Sequence, residues 1–206
     1  MINGIDFDNT IVSYDKIFFE VAKELNLISK DTFRNKTEVR DEIRKIKGDI
    51  EWQKIQSIVY AYRMDSAEIM DGLGKFLEFC KENRAKVYIV SHKTMHAHFD
   101  EEKRNLRQIA LDWLKKNEFF SNNVFNLEQK DVFFESTREE KVQRIADLNC
   151  DIFIDDLEEV FLEKSFPKET KKILFLPEGE KSPHLVNCTV CRSWVEVYKI
   201  VSEFPK

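Results

Sequence analysis

The sequence predicts an α/β fold with a mostly parallel sheet, interrupted by a helical tract. Three observations carry this. Short apolar, β-rich runs recur along the chain and alternate with stretches whose apolar residues are spaced as on a helix, the pattern of parallel strands joined by crossover helices. Three of these runs, "INGIDFD", "VYIVS" and "IFIDD", end in carboxylates or a hydroxyl, at the strand ends where parallel sheets bind ligands. A long helical tract interrupts the alternation after the first strand.

The first strand is expected over Met1–Phe7. Strand alternation then turns Asp6 and Asp8 to one side, where their charges repel. Either a cation lies between them or the stretch is a strand end followed by an Asp-rich turn. Next comes a helix in "SYDKIFFEVAKELNLI", with Ile17, Phe18, Val21, Ala22 and Leu25 on one face. The charged stretch "DTFRNKTEVRDEIRKIK" is a second helix, closed by Gly48. A third, "DIEWQKIQSIVYAYRM", gathers Trp52, Ile55, Ile58, Val59 and Tyr62 on one side. A fourth, "SAEIMDGLGKFLEFCKENR", leads into a strand over Lys86–Val90.

A helix is expected from about Glu101 to Lys116, with Leu106, Ile109, Ala110, Trp113 and Leu114 as its buried stripe. "NVFNL" and "DVFFE" are candidate strands. "TREEKVQRIADLN" is a helix capped by Ser136 or Thr137. "CDIFIDD" and "KKILFLP" are strands, and "SWVEVYKIVSEF" closes the chain as a helix. The segment after Leu176 has no chemistry assigned to it; it crosses the sheet edge and returns as that helix.

Composition narrows the function classes. The 206 residues, 42% of them apolar and seventeen of them phenylalanine, suffice for one domain's core with a small insert. The net charge is −5 with no basic block, so no nucleic-acid polymer is expected as a partner. No apolar run approaches the roughly 18 residues of a membrane span. The first residues lack the features of an export signal, so a cytoplasmic location is expected and no membrane partner. Cys80, Cys150, Cys188 and Cys191 are scattered, as reduced thiols are. Cys188 and Cys191 form a C-x-x-C with His184 before them, but zinc needs a second ligand pair that is missing. Oligomeric state is not readable.

If the three strands ending at Asp6, Ser91 and Asp155–Asp156 are neighbours, their ends converge on one crevice, and the helix before the last of them brings Lys141. Carboxylates from two strand ends suit Mg²⁺. A hydroxyl and an ammonium suit phosphoryl oxygens, and a remaining carboxylate can attack phosphorus.

"DFDNT" (Asp6 to Thr10), "VYIVS" ending at Ser91, Lys141 and "IFIDD" ending at Asp156 together resemble the four motifs of the haloacid dehalogenase superfamily, in their order. The resemblance covers about residues 1–160, and the tract from about Ser13 to Ala67 is similar to the small helical cap that many members insert after the first motif. It implies a Rossmann-like parallel sheet core of residues 1–12 and 68–206, a small α-helical cap of residues 13–67, and phosphoryl transfer through an aspartyl-phosphate. Asp6 would then be nucleophile and metal ligand. Asp8 would be general acid/base and would lend its backbone carbonyl to Mg²⁺. Thr10 would steady the loop, and Ser91 and Lys141 would hold phosphoryl oxygens. Asp155 and Asp156 would complete the metal site, Asp156 matching the motif's invariant acid better, with Glu159 near a metal-bound water. Lys93 and Lys130 are the rivals of Lys141.

An acid at Asp8 fits expulsion of an alkoxide, which needs a proton, rather than of a halide. The reading is therefore a phosphomonoester hydrolase acting on a small phosphorylated substrate. The loop "SHKTMHAHFDEEK" places His92 and Lys93 where substrate would lie. His96 and His98 could serve zinc, or form a polar loop. That loop resembles one in superfamily members encoded beside surface-polysaccharide genes, which favours a sugar phosphate. The "IDD" motif and small cap are also similar to deoxyribonucleotidases, which makes a nucleoside monophosphate the alternative. A response-regulator receiver domain is disfavoured by motif order, and a non-catalytic phosphate-binding relative by the presence of every motif.

Overall fold

The structure, a computed structural model, describes residues 1–29, 35–121, 124–125, 127–177 and 187–204. Its first strand, β1 (Ile2–Ile5), ends earlier than Phe7. Ile11 and Val12 both donate their backbone N–H to the Phe7 carbonyl, at 3.0 and 3.1 Å, and so draw residues 7–11 into a turn. The chain runs on through β2 (Val12–Ser13), α1 (Asp15–Glu24), α2 (Lys36–Lys47) and α3 (Asp49–Tyr62). Asn35 caps α2 by accepting from the Glu38 N–H at 2.8 Å, and Gly48 ends it at φ 88°. Trp52, Ile55 and Val59 are buried as expected, whereas Tyr62 is exposed.

The single helix expected over the "SAEIM…" stretch is interrupted. Glu68–Ile69 forms β3, paired with β2 in a two-stranded sheet, and α4 (Leu73–Glu82) begins only after Gly72. Gly72 stands at φ 82°, and a Cβ there would lie 3.2 Å from Trp194 Cβ, so glycine allows the chain to turn into α4 in the left-handed region.

The remaining elements are β4 (Lys86–His92), α5 (Leu106–Lys116), β5 (Val132–Glu135), α6 (Arg138–Asp147), β6 (Ile152–Asp155), α7 (Glu158–Leu162), β7 (Lys171–Phe175), β8 (Thr189–Cys191) and α8 (Trp194–Ser202). β4 outruns its expected end at Val90. α5 starts later than Glu101 because Asp100 and Asn105 take up the local backbone donors: Asp100 accepts from the Arg104 N–H at 2.7 Å and Asn105 from the Gln108 N–H at 3.1 Å. Such side-chain acceptors favour turns and caps over helix interiors. The strand expected in "NVFNL" is absent at Val124, Phe125 and Leu127; Asn123 and Asn126 lie outside the described residues. α7 and β8 were not anticipated, being too short to show a period.

β5-β4-β1-β6-β7-β8 make one sheet in which every neighbouring pair is parallel. β1 is central and its flanks are buried. Gly4 lets β1 and β6 pack closely, since a Cβ would fall 2.4 Å from the Phe153 ring. No helix among the described residues is long and apolar enough to cross a membrane.

The chain divides into two units: Met1–Val12, Ile69–Lys93 and Leu114–Lys206, which carry the sheet, and Ser13–Glu68 with Thr94–Trp113. In the second, Phe18 stacks on Trp52 with ring centroids 4.7 Å apart, and Tyr14 meets the Tyr60 edge at 5.1 Å. The sequence reading left residues 94–113 with the sheet; here they cluster with the helical tract. The Tyr62 hydroxyl donates to Asp100 at 2.7 Å, the Phe99 N–H to Ser57 Oγ at 3.2 Å and the Trp113 indole to the Ala67 carbonyl at 3.1 Å. These bonds join residues far apart in sequence, which helical spacing cannot reveal.

Candidate active site

Ile5 lies opposite both Ile89 and Ile154, so β4, β1 and β6 are neighbours whose carboxyl ends come out level. Asp6 follows β1, Ser91 lies at the end of β4, and Asp155 ends β6 with Asp156 next. The Asp6 N–H donates to the Ile154 carbonyl at 2.9 Å, which carries the pairing to the aspartate itself. The three strand ends thus converge as their sequence suggested.

α6 delivers the lysine. Thr137 caps it, accepting from the Glu140 N–H at 3.1 Å, while the Glu140 carboxylate accepts from the Thr137 N–H at 3.2 Å. This reciprocal box starts the helix at Arg138 and puts Lys141 on its buried face with Val142 and Ile145. The Lys141 ammonium, 1% exposed, donates to Asp6 Oδ1 and to Asp155 Oδ2, each at 2.6 Å. Neither rival lysine takes that place: Lys130 pairs with Glu128 at 2.8 Å, and Lys93 pairs with Asp8.

The charges of this triad support one another. Burial lowers the affinity of the Lys141 amine for its proton, but the Asp155 and Asp6 carboxylates outweigh burial and raise it, so the ammonium persists. Burial pushes the Asp155 carboxyl up, to about 7, with Lys141 pulling it back and the Asp6 charge adding to the rise.

Asp8 differs from the expectation that it shares a strand face with Asp6. It lies in the turn after β1, and its carboxylate accepts from Lys93 Nζ through both oxygens, at 3.0 and 2.9 Å. The two aspartates therefore answer to two different lysines. Asn9 turns the chain at φ 59°, a conformation for which asparagine is enriched, and donates to Asp156 Oδ2 at 2.9 Å. The sequence reading passed over Asn9 and weighed Lys93 only as a phosphate or substrate contact.

Thr10 is fully buried, its carbonyl accepting from the Trp194 indole at 3.0 Å and its hydroxyl without a partner among the described residues. Ser91 is buried. His92 is exposed, a ring nitrogen 3.0 Å from the Ser136 carbonyl. His96 and His98 belong to the second unit, where His96 Nδ1 lies 3.2 Å from the Arg104 carbonyl and His98 meets Phe99 edge-on. Glu159 is exposed on α7. Cys191 is buried in β8 and Cys188 half-buried before it; His184 lies outside the described residues.

Asp6, Asp155 and Asp156 present ligand atoms that all lie within 4.8 Å of one another, a set that can hold a metal ion. Three carboxylates against the single Lys141 ammonium leave excess negative charge, and all the donors are oxygen. Both features fit a small hard dication. At this cluster a buried carboxylate, a set of oxygen ligands able to hold a cation and an ammonium come together.

No protein-family model matches this sequence, and no curated protein does. Solved structures do resemble it. A haloacid dehalogenase-like family hydrolase from Streptococcus pneumoniae has a TM-score of 0.60 at 16% identity, covering 97% of this chain and 97% of its own. A HAD family hydrolase from Deinococcus radiodurans R1, with bound phosphate and sodium, has 0.59 at 12%, covering 98% and 95%. A HAD-superfamily hydrolase from Ehrlichia chaffeensis has 0.53 at 15%, covering 98% and 96%. The chain therefore has the α/β fold of haloacid dehalogenase-type hydrolases, as its motifs implied.

Proposed function

We propose that this chain, built on the haloacid dehalogenase fold, is a Mg²⁺-dependent phosphomonoester hydrolase of that superfamily, working through an aspartyl-phosphate. The observation that carries the reading is Lys141, buried between Asp6 and Asp155 at the level ends of three adjacent parallel strands. A cation enclosed by two carboxylates is costly to build unless the charges serve a function or are fully satisfied, and such perturbed groups gather at active sites.

Asp6 attacks phosphorus in line, and Asp8 gives its proton to the departing oxygen. Asp8 then takes a proton from water as that water attacks phosphorus and frees Asp6. Ser91 and Lys141 hold the phosphoryl oxygens, Thr10 steadies the turn, and His92 lies at the substrate's approach. Asp6, Asp155, Asp156 and the Asp8 backbone carbonyl would hold Mg²⁺, which supplies neutralisation of phosphoryl charge. A Deinococcus protein of the same fold has bound phosphate and sodium, which is in keeping with a phosphorylated substrate.

The second unit, residues 13–68 with 94–113, is the candidate cap that selects the substrate. A small phosphorylated metabolite is the substrate class, with a sugar phosphate favoured on the "SHKT" loop and a nucleoside monophosphate the alternative on the "IDD" motif.

The test is hydrolysis of para-nitrophenyl phosphate with Mg²⁺, wild type beside Asp6→Asn. Turnover in the wild type should fall at least about 1,000-fold in the variant and vanish in EDTA. Appreciable activity in Asp6→Asn, with its fold intact by circular dichroism, would overturn the nucleophile assignment.

A further inference from the structure

Lys93 is a second buried lysine, and its surroundings differ from those of Lys141. It follows β4, and its backbone N–H donates to the Glu135 carbonyl at 2.9 Å, so its main chain is held as an extension of the β4–β5 pairing. Its side chain is only 6% exposed and passes over the Phe7 ring, with Nζ 5.1 Å from the centroid. Its ammonium meets both Asp8 oxygens within 3.0 Å.

Asp8 needs such a hold. It stands in a turn, not on a strand, and the next residue is the left-handed Asn9. An isolated β-bridge to Val12 places its main chain, and the two torsions of its side chain are soft. A proton donor must still reach the leaving oxygen, and displacement by about 1 Å costs on the order of 100-fold in rate.

We propose that Lys93 is a positioning residue: its ammonium, anchored by β4 and Phe7, holds the Asp8 carboxylate in the orientation from which Asp8 exchanges its proton. The inference rests on the reading of Asp8 as general acid/base. The proton passes from Asp8 to the leaving oxygen and returns to Asp8 from water, while the lysine grips whichever carboxylate oxygen is not engaged.

The experiment compares Lys93→Met, which keeps the apolar stem over Phe7, and Lys93→Arg with the Mg²⁺-loaded wild type and Asp8→Asn. Two substrates are used: para-nitrophenyl phosphate, whose leaving group needs little protonation, and ethyl phosphate, whose alkoxide needs a proton. Lys93→Met should lower kcat/KM, which reports the first displacement alone, about 100-fold on ethyl phosphate and at most about 10-fold on para-nitrophenyl phosphate, without raising KM. Lys93→Arg should restore part of the loss. A crystal structure of metal-free Lys93→Met, which needs no turnover, should show Asp8 displaced or in more than one rotamer.

An equal loss of kcat/KM on both esters, a raised KM with kcat kept, or Asp8 unmoved in the Lys93→Met crystal would each overturn the inference. If Asp8→Asn retains wild-type turnover of ethyl phosphate, the acid/base reading itself falls. If Asp8→Asn is inactive while Lys93→Met behaves as wild type, only the role of Lys93 falls.

Discussion

Asp6 and Asp8 show how much a side chain's chemistry depends on its partner. They are one residue type two positions apart, yet Asp6 is buried against Lys141 while Asp8 keeps 23% of its side chain exposed and pairs with Lys93. The cysteines differ in the same way. Burial pushes the thiols of Cys80, Cys150 and Cys191 up to about 12. Cys188 is also raised, with burial again the main cause, but it is only half-buried. Thiolate is the reactive form, and a raised thiol pKa keeps it scarce below that pH. Iodoacetamide at pH 8 should therefore modify Cys188 well before the other three in the native protein, and all four faster as pH rises. Mass spectrometry of the peptides checks the order; equal rates at all four would contradict the burial.

Among the elements, α6 links local sequence to the site most directly. Its capping box was readable in "STREE", because Thr137 and Glu140 have the spacing at which each satisfies the other's backbone N–H. The box fixes where the helix starts, and the start fixes which face Lys141 occupies. Thr137→Ala should cost about 1 kcal/mol of stability, measured by urea denaturation. The strand ends at Asp6, Ser91 and Asp155 were legible for a similar reason: apolar runs bounded by polar residues mark buried strands. Element boundaries were less legible where a side chain competes with the helix for backbone donors, as Asp100 and Asn105 do ahead of α5, or where a glycine takes the left-handed region, as Gly72 does ahead of α4.

At the scale of the whole chain, the division into two units turns on residues 94–113. Asp100 is central to it, accepting from the Tyr62 hydroxyl and from the Glu102 and Arg104 N–H groups. Asp100→Ala should speed amide hydrogen exchange across 94–105 and at the end of α3, while amides of the six-stranded sheet keep their protection. Exchange mass spectrometry reads both at once. Unchanged exchange across 94–105 would contradict that role of Asp100.

The sequence by itself determined the α/β class, the strands that meet at the site, Asp6, Ser91, Lys141, Asp155 and Asp156 as its candidates, and the helical insert after the first motif. These follow from periodicity, caps and the rule that parallel strands present ligand groups at their carboxyl ends, all of which are local or topological. The tertiary structure alone decided that Asp8 pairs with Lys93, that Asn9 braces Asp156, and that residues 94–113 join the helical tract. Each of these depends on a contact between groups distant in sequence. Such contacts are selected by burial and charge pairing in three dimensions, and no spacing along the chain records them.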